Sequence, residues 1–126
     1  MREILFRGKR ISNSKWVEGF MYSQHFPLEF RDDFYIRCYD TDYLVIPETV
    51  GQYTGLTDKN GVRIFEGDIV DYISSDVIGN PKTGTIIVED MTDYDTMIYL
   101  NHSEELQIIG NIHDNPDILK GGEDNG

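Results

Sequence analysis

The stretch Tyr53–Phe65 (YTGLTDKNGVRIF) carries the local signal that best indicates the fold. Its Asn60-Gly61 pair tolerates the positive φ angles that a tight hairpin turn requires. Strand-forming residues flank the pair on both sides, at Tyr53–Thr57 and Val62–Phe65. The stretch therefore predicts an antiparallel β-hairpin, and similar patterns before and after it extend the prediction to an all-β chain.

The composition of the 126-residue chain also favours sheet over helix. Alanine, the best helix former, is absent. Ile, Val and Thr account for 30 residues and Tyr and Phe for 14, and these side chains suit a half-buried pleated surface. A chain of this length can bury a core without cross-links. The single cysteine, Cys38, excludes an internal disulfide and a cysteine-based zinc site.

Further strands are predicted on both sides of the central hairpin. Glu3–Arg10 and Lys15–Tyr22 form a first hairpin, with Trp16 and Phe20 anchoring one of its faces. The other segments with strand character are Phe34–Tyr39, Asp42–Ile46, Ile69–Ile73, Thr85–Glu89, Thr96–Asn101 and Leu106–Ile112.

Irregular segments separate these strands. Residues 23–33 lack periodicity and contain Pro27, so we expect a loop there. Residues 80–84 (NPKTG) are rich in turn formers and predict a break in the chain. The acidic segment Asp90–Asp95 is expected at the tip of a hairpin, where its carboxylates are solvated or hold calcium weakly.

The charge is strongly acidic and unevenly distributed. Eleven Lys and Arg against 23 Asp and Glu give a net charge of −12, which disfavours a general binder of nucleic acid or anionic membranes. Residues 1–16 carry +4, whereas residues 38–126 carry −14. The basic residues of the first segment are Arg2, Arg7, Lys9, Arg10 and Lys15. These residues lie either on a solvated pair of strands or along an edge that attracts a partner electrostatically. Binding of nucleic acid through them would require all five on one face.

Nothing in the sequence indicates export or membrane insertion. The apolar stretch Ile4–Phe6 ends at Arg7, far short of a signal-peptide core. No apolar run approaches the length that spans a bilayer. We therefore expect a cytoplasmic protein with a reduced Cys38.

Three stretches, taken together and in this order, resemble a known family. They are Arg2–Lys9 leading to Trp16, then Pro47–Asp68 (PETVGQYTGLTDKNGVRIFEGD), then Ile109–Pro116 (IGNIHDNP). Over about residues 2–119 the chain resembles the YopX family of small proteins encoded by bacteriophages and prophages of low-GC Gram-positive bacteria. The resemblance implies a mainly β fold with a barrel-like C-terminal half and residence in the host cytoplasm. It implies no activity, and no catalytic residues transfer from it.

The expected organisation is a single YopX-like β domain over residues 1–120, followed by a flexible tail at 121–126. Within the domain, an N-terminal hairpin section at residues 1–46 packs against a small, partly open barrel at residues 47–115, similar to SH3-like barrels. The sheet edges could also pair between chains, which makes a homo-oligomer one of the expectations.

Several polar residues are candidates for a site. Glu66 and Asp68 lie two positions apart, so they either share a cation or proton or form a bend in which Asp68 accepts bonds from backbone amides. A calcium loop starting at Asp58 is disfavoured, because Val62 and Arg63 occupy its fifth and sixth positions. A hairpin turn explains that segment better.

The histidines and one tyrosine complete the candidates. His102 and His113 could converge as metal ligands, or His113-Asp114 could simply hold the exit from a strand. Tyr53 is either a contact residue near a loop or a core side chain. We predict no metal site and no cofactor.

The leading hypothesis is a non-enzymatic phage accessory protein that binds a host or phage macromolecule, a protein rather than nucleic acid. Its candidate binding residues are Tyr53, Glu66, Asp68, His113 and Asp114. One alternative is an acidic DNA mimic that occupies a host nucleic-acid-binding protein. Another is a small enzyme or metal protein using Glu66, Asp68, His113 and Asp114. The chain lacks the common nucleophile, phosphate-loop and metalloprotease motifs, so no catalytic residue is predicted.

Overall fold

The computed structural model describes residues 4–75, 78–89, 100 and 103–118. The chain divides into two compact units, Met1–Tyr53 and Thr54–Gly126. The strand pairings are antiparallel in both units, which confirms the predicted all-β fold of antiparallel hairpins. The predicted organisation into one domain with two sections stays a prediction.

The structure describes strands in both units, and most of the segment between β8 and β9 lies outside the described residues. In chain order they are β1 (Phe6–Lys9), β2 (Trp16–Phe26), β3 (Arg31–Cys38), β4 (Thr41–Val45), β5 (Gly51–Thr57), β6 (Arg63–Phe65), β7 (Asp68–Ser75), β8 (Pro81–Ile87) and β9 (Glu105–Asn111). Single 3-10 turns lie at Pro27–Glu29 and Pro47–Thr49. Each begins at proline, whose fixed φ and missing N–H suit the first position of a helical turn.

The first unit contains one sheet with one buried and one solvated face. Within this unit the neighbouring strands are β4, β3, β2, β1 and the beginning of β5, where Phe6 pairs with Gln52. Ile36 and Val45 are fully buried, and both lie on the same face because Ile36 pairs with Tyr43 on β4. Side chains alternate between the faces of a strand, so Tyr35 and Arg37 lie on the opposite face.

The predicted loop over residues 23–33 is wrong. β2 continues to Phe26, and β3 begins at Arg31 after a single 3-10 turn. The sequence shows no apolar alternation here because residues 22–25 of β2 are exposed on both faces. Backbone pairing between the strands, rather than burial, therefore holds this two-stranded ribbon together.

The second unit buries the larger apolar cluster. β5 pairs with β6, and β7 lies between β8 and β9. The cluster consists of Ile64, Val70, Val88, Leu100 and Leu106. Each such side chain stabilises the fold by roughly 1.5–3 kcal/mol through burial. Over the described residues the strands do not close into a barrel, in keeping with the predicted partly open arrangement.

The predicted break at residues 80–84 is wrong in extent. β8 begins at Pro81, inside that segment, and pairs with β7 over its full length. Pro81 is tolerated as the first residue of a strand at the edge of its sheet, where no ladder bond is lost. Apart from Leu100, the predicted strand at Thr96–Asn101 and the acidic tip at Asp90–Asp95 lie outside the described residues.

Candidate functional site

The chain segments that carry the predicted carboxylate and histidine candidates meet at one end of the β7–β9 pair. Asp68 pairs with Asn111, and the Ile112 N–H donates to the Gly67 carbonyl at 2.9 Å. A Cβ placed on Gly67 would lie 3.5 Å from His113 Nε2, so the imidazole packs on the bend that precedes β7. The sheet register therefore brings residues 66–68 beside residues 111–114.

Polar side chains at this end of the sheet form hydrogen bonds with backbone N–H groups. Asp68 is 1% exposed, and its Oδ2 accepts the Phe65 N–H at 2.8 Å. This is the bend predicted as one of the two interpretations of Glu66-Gly67-Asp68. The Asn111 carbonyl oxygen Oδ1 accepts the N–H groups of His113 and Asp114, at 3.0 and 2.9 Å. A ligand-binding role for Glu66, Asp68, His113 and Asp114 stays a prediction.

Tyr53 lies on β5, at the end of the first unit. Its side chain is 8% exposed, and its backbone N–H donates to the Leu5 carbonyl at 2.7 Å. Of the two interpretations offered for it, the position fits a core side chain. A contact role for Tyr53 stays a prediction.

The Asn-Gly hairpin forms as predicted and depends on Asp58. The Asp58 N–H donates to the Val62 carbonyl at 2.8 Å, and Gly61 adopts φ +80°. Asp58 Oδ1 accepts the N–H groups of Asn60 and Val62 at 2.9 and 3.0 Å. Its Oδ2 accepts the Ile108 N–H on β9 at 3.2 Å. One carboxylate thus closes the hairpin and attaches it to a strand 50 residues away, a role that local sequence does not reveal.

Because of the hydrogen bonds that Asp58 accepts, the free energy of unfolding should decrease at acidic pH. Burial works to raise the pKa of Asp58, but the donated N–H groups of Val62, Ile108 and Asn60 hold that pKa below its ordinary value. The contribution to stability is then complete above the unfolded pKa of about 3.9 and is lost as the pH falls through the lower folded value. Below about pH 4, the unfolding free energy of Asp58→Asn should therefore decrease less steeply with falling pH than that of the wild type. Urea unfolding at a series of pH values tests this, and equal acid slopes would contradict it.

The solvated side of the first sheet carries an aromatic surface. We call its central part on β2, β3 and β4 the outer face, and its residues are Phe20, Tyr22, Gln24, Arg31, Asp33, Tyr35, Arg37, Asp42 and Leu44. Tyr22 and Tyr35 stack with ring centroids 5.1 Å apart. Phe20 is 68% exposed, so the prediction that it anchors a packed hairpin face is wrong. It alternates with buried Gly19 and faces solvent instead.

The end of the β2–β3 ribbon is the most apolar exposed point of the described residues. We call Pro27–Phe30 the hairpin tip. Leu28 is 94% and Phe30 93% exposed, and Phe30 adopts the left-handed conformation with φ 52° and ψ 43°. A non-glycine residue there costs about 1–2 kcal/mol. In the sequence, this surface is indicated by the two apolar residues on either side of Glu29. The predicted loop over residues 23–33 does not use that indication.

The ribbon behind the tip is braced by polar and aromatic contacts. The Arg31 guanidinium lies 4.4 Å from the Phe26 ring centre and forms ion pairs with Glu29 and Asp33. His25 Nδ1 lies 2.7 Å from Asp32 Oδ1 on the other side of the ribbon. Each exposed pair is worth less than about 1 kcal/mol and adds to the backbone pairing of β2 with β3.

The basic residues near the N-terminus do not share one face. Arg7 and Lys9 lie over the Trp16 ring, at 4.5 and 5.7 Å. Arg10 lies 4.4 Å from the ring centre of Tyr43, which shares a face with buried Ile36. Arg2 lies outside the described residues. The described members of this set therefore lack the common face that the nucleic-acid hypothesis requires.

The second unit has an open cavity of about 320 Å³ over β7, β8 and β9. Its lining includes Asp71, Thr83, Thr85, Glu105 and Gln107. The Thr85 hydroxyl donates to Asp71 Oδ1 at 2.6 Å. The lining thus combines two carboxylates, hydroxyl groups and an amide with the apolar surface of Tyr72 and Ile73.

Two further features concern the described residues. No group of three or more His, Cys, Asp or Glu side chains is placed to hold a metal ion there. No helix in the described part of the chain is long and apolar enough to cross a membrane. His102, one of the two predicted metal-ligand candidates, lies outside this part.

Comparison with known proteins identifies one family over nearly the whole chain. A profile described as YopX protein matches residues 5–120. Among solved structures, the chain is similar to protein EF1440 from Enterococcus faecalis, with 20% sequence identity and a TM-score of 0.46. That likeness covers 94% of this chain and 99% of the other. No curated protein matches the chain. Because the profile spans all but its ends, the chain belongs to the YopX protein family.

Proposed function

We propose that this protein is a non-enzymatic binding module and that the hairpin tip is its contact with a partner protein. The observation that carries the proposal is the exposure of Leu28 and Phe30, 94% and 93%, at the end of a braced ribbon. The phage origin and the bacterial cytoplasm implied by the family resemblance belong to the same proposal.

The energetics of the tip support a binding role. Leu28 and Phe30 gain little from burial in the chain itself, and the backbone at Phe30 is strained. Strained residues persist where their surroundings hold them, and they cluster at functional sites. Two apolar side chains inserted into a partner's pocket would recover roughly 1.5–3 kcal/mol each. The tip therefore has the character of a binding anchor.

The charges around the tip favour a protein over nucleic acid. Glu29, Asp32 and Asp33 surround it, against Arg31 and the histidine His25. A net negative rim repels phosphates and complements a pocket bordered by basic side chains. We propose a partner with an apolar pocket and a basic rim.

A capture experiment with matched variants tests the proposed function. The tagged wild-type chain, the double variant Leu28→Ser/Phe30→Ser and the control Ile11→Ser are exposed to host lysate and eluted in steps of rising salt. Ile11 is also an exposed apolar residue of the first unit but lies away from the tip. We expect the wild-type chain to capture a partner protein in stoichiometric amount and to retain it at high salt. The tip variant should not capture this protein, whereas the control variant should.

The other elution patterns distinguish the alternatives. Early release by salt, with equal capture by the tip variant, would favour the acidic DNA mimic, because its contacts are electrostatic. Retention of the same partner by wild type and tip variant at every salt concentration would refute the role of the tip.

The strain at Phe30 predicts a trade between stability and binding. We expect Phe30→Asn to raise the free energy of unfolding by about 1 kcal/mol, since Asn tolerates the left-handed conformation. The exposed phenyl ring contributes little that the variant would lose. Leu28→Asn, at a position without positive φ, serves as the control and should not stabilise. Urea unfolding measures both, and equal effects would contradict the strain argument.

A further inference from the structure

We infer that the outer face of the first sheet binds a second copy of this chain in an antiparallel, two-fold symmetric dimer. The inference goes beyond the proposed function, because it uses the outer face and leaves the hairpin tip free. It rests on how apolar and charged side chains are arranged along β3 and its neighbours.

An apolar row crosses the centre of the outer face. Tyr22 pairs with Tyr35, and Tyr35 pairs with Leu44, so the three side chains form a line across β2, β3 and β4. Tyr22 and Leu44 are exposed, and the two tyrosine rings stack with an interplanar angle of 13°. The row is thus a flat apolar strip on a solvated sheet face.

Opposite charges lie on either side of this row. Arg37 follows Tyr35 by two residues and Asp33 precedes it by two, so all three lie on the outer face. Arg37 Nη1 lies 3.1 Å from both carboxylate oxygens of Asp42. Arg31 Nε lies 3.1 Å from Asp33 Oδ1. The charge pattern along β3 is therefore positive, negative, apolar, positive.

This pattern is complementary to itself in one orientation. Two sheets packed face to face about a two-fold axis through Tyr35, perpendicular to the strands, have β3 of each copy running antiparallel to the other. The axis then places Asp33 of each copy opposite Arg37 of the other, which gives two contacts between opposite charges. A two-fold axis along the strands would instead place Arg37 on Arg37 and Asp33 on Asp33. Like charges facing each other cost several kcal/mol, so the antiparallel arrangement is selected.

The composition of the face also suits a second copy. Phe20, Tyr22 and Leu44 are 68%, 41% and 37% exposed and would form the apolar part of the contact, with the charged rows beside them as its rim. The same patch serves both copies, as a two-fold interface requires. The two hairpin tips of such a dimer point in opposite directions, which makes it bivalent for the partner proposed above.

Complementary charge reversals test the inference on the full chain. Sedimentation velocity at about 150 mM salt, where the charge of −12 on each copy is screened beyond about 8 Å, measures dimerisation. Asp33→Arg places two arginines opposite each other, and Arg37→Asp places two aspartates there. Each variant alone should dimerise at least about 100-fold more weakly than wild type. An equimolar mixture restores both opposite-charge contacts and should return to the dimer.

Two controls accompany the mixture. Asp32→Arg reverses the neighbouring charge, but Asp32 lies on the other face of the ribbon beside His25, so the variant should dimerise like wild type. Leu28→Ser/Phe30→Ser should also remain dimeric, and this separates the dimer from the tip. Circular dichroism establishes that each variant is folded.

Three results would overturn the dimer. The first is a wild-type protein that stays monomeric at concentrations about 100 times higher than those at which a micromolar dimer would be detected. The second is a set of single variants that dimerise like wild type. The third is a mixture of the two folded single variants that stays monomeric. Recovery in the mixture supports the antiparallel contact, since a structural defect in either variant would not be repaired by the other.

Discussion

Asp58→Ala is expected to lower the free energy of unfolding by about 2–4 kcal/mol, because hydrogen bonds to a charged group contribute about 1.5–3 kcal/mol each. The substitution leaves the Ile108 N–H on β9 without its carboxylate acceptor. Water can replace part of what Asn60 and Val62 lose, since both residues are exposed. Urea unfolding followed by circular dichroism measures the change.

Two substitutions calibrate this effect. Asp58→Asn keeps one acceptor oxygen and should lose roughly half as much. Asp117→Ala removes an exposed carboxylate from the same unit and should change the unfolding free energy by less than about 0.5 kcal/mol. A loss with Asp58→Ala no larger than with Asp117→Ala would show that the contact between the hairpin and β9 is unimportant.

Gly19→Ala is expected to destabilise the protein by about 3 kcal/mol, at the upper end of what overpacking costs. A Cβ on Gly19 would overlap the Arg37 carbonyl oxygen and lie 2.8 Å from the carbonyl carbon. A backbone group cannot turn away as a side-chain end can. β2 and β3 would have to separate beside the Phe20–Arg37 pair, at the edge of the outer face.

Gly61→Ala provides the comparison for Gly19→Ala. Gly61 has φ +80°, but a Cβ there meets nothing within 4 Å. Its cost should come from the backbone conformation alone, about 1–2 kcal/mol. Thermal unfolding of both variants separates the two causes. A smaller loss for Gly19→Ala than for Gly61→Ala would mean that the ribbon shifts without cost.

Some of the fold could be predicted because its determinants are local. The turn at Asn60-Gly61 follows from the backbone freedom of Gly61, which adopts φ +80°. The bend at Asp68 follows from a side chain that bonds an amide three residues back. The strand character of β3, β4 and β7 follows from β-branched and aromatic composition.

The surfaces proposed for function could not be predicted in the same way. The sequence predicts a loop over residues 23–33 because hydrophobic periodicity reflects burial, and the ribbon formed by these residues has no buried face. The pairing of Tyr22 with Tyr35 depends on the register between β2 and β3, which no local pattern displays. The outer face and the tip therefore emerged only from the paired strands.

The sequence by itself determined the fold class, the central hairpin and the family, because these depend on residue types and on neighbours in the chain. Only the tertiary structure decided that Asp58 attaches to Ile108, that Phe20 faces solvent and that Leu28 and Phe30 project from a ribbon. Each of these depends on strand register and on which face meets the core. Those are contacts between residues distant in the chain, which sequence spacing does not encode.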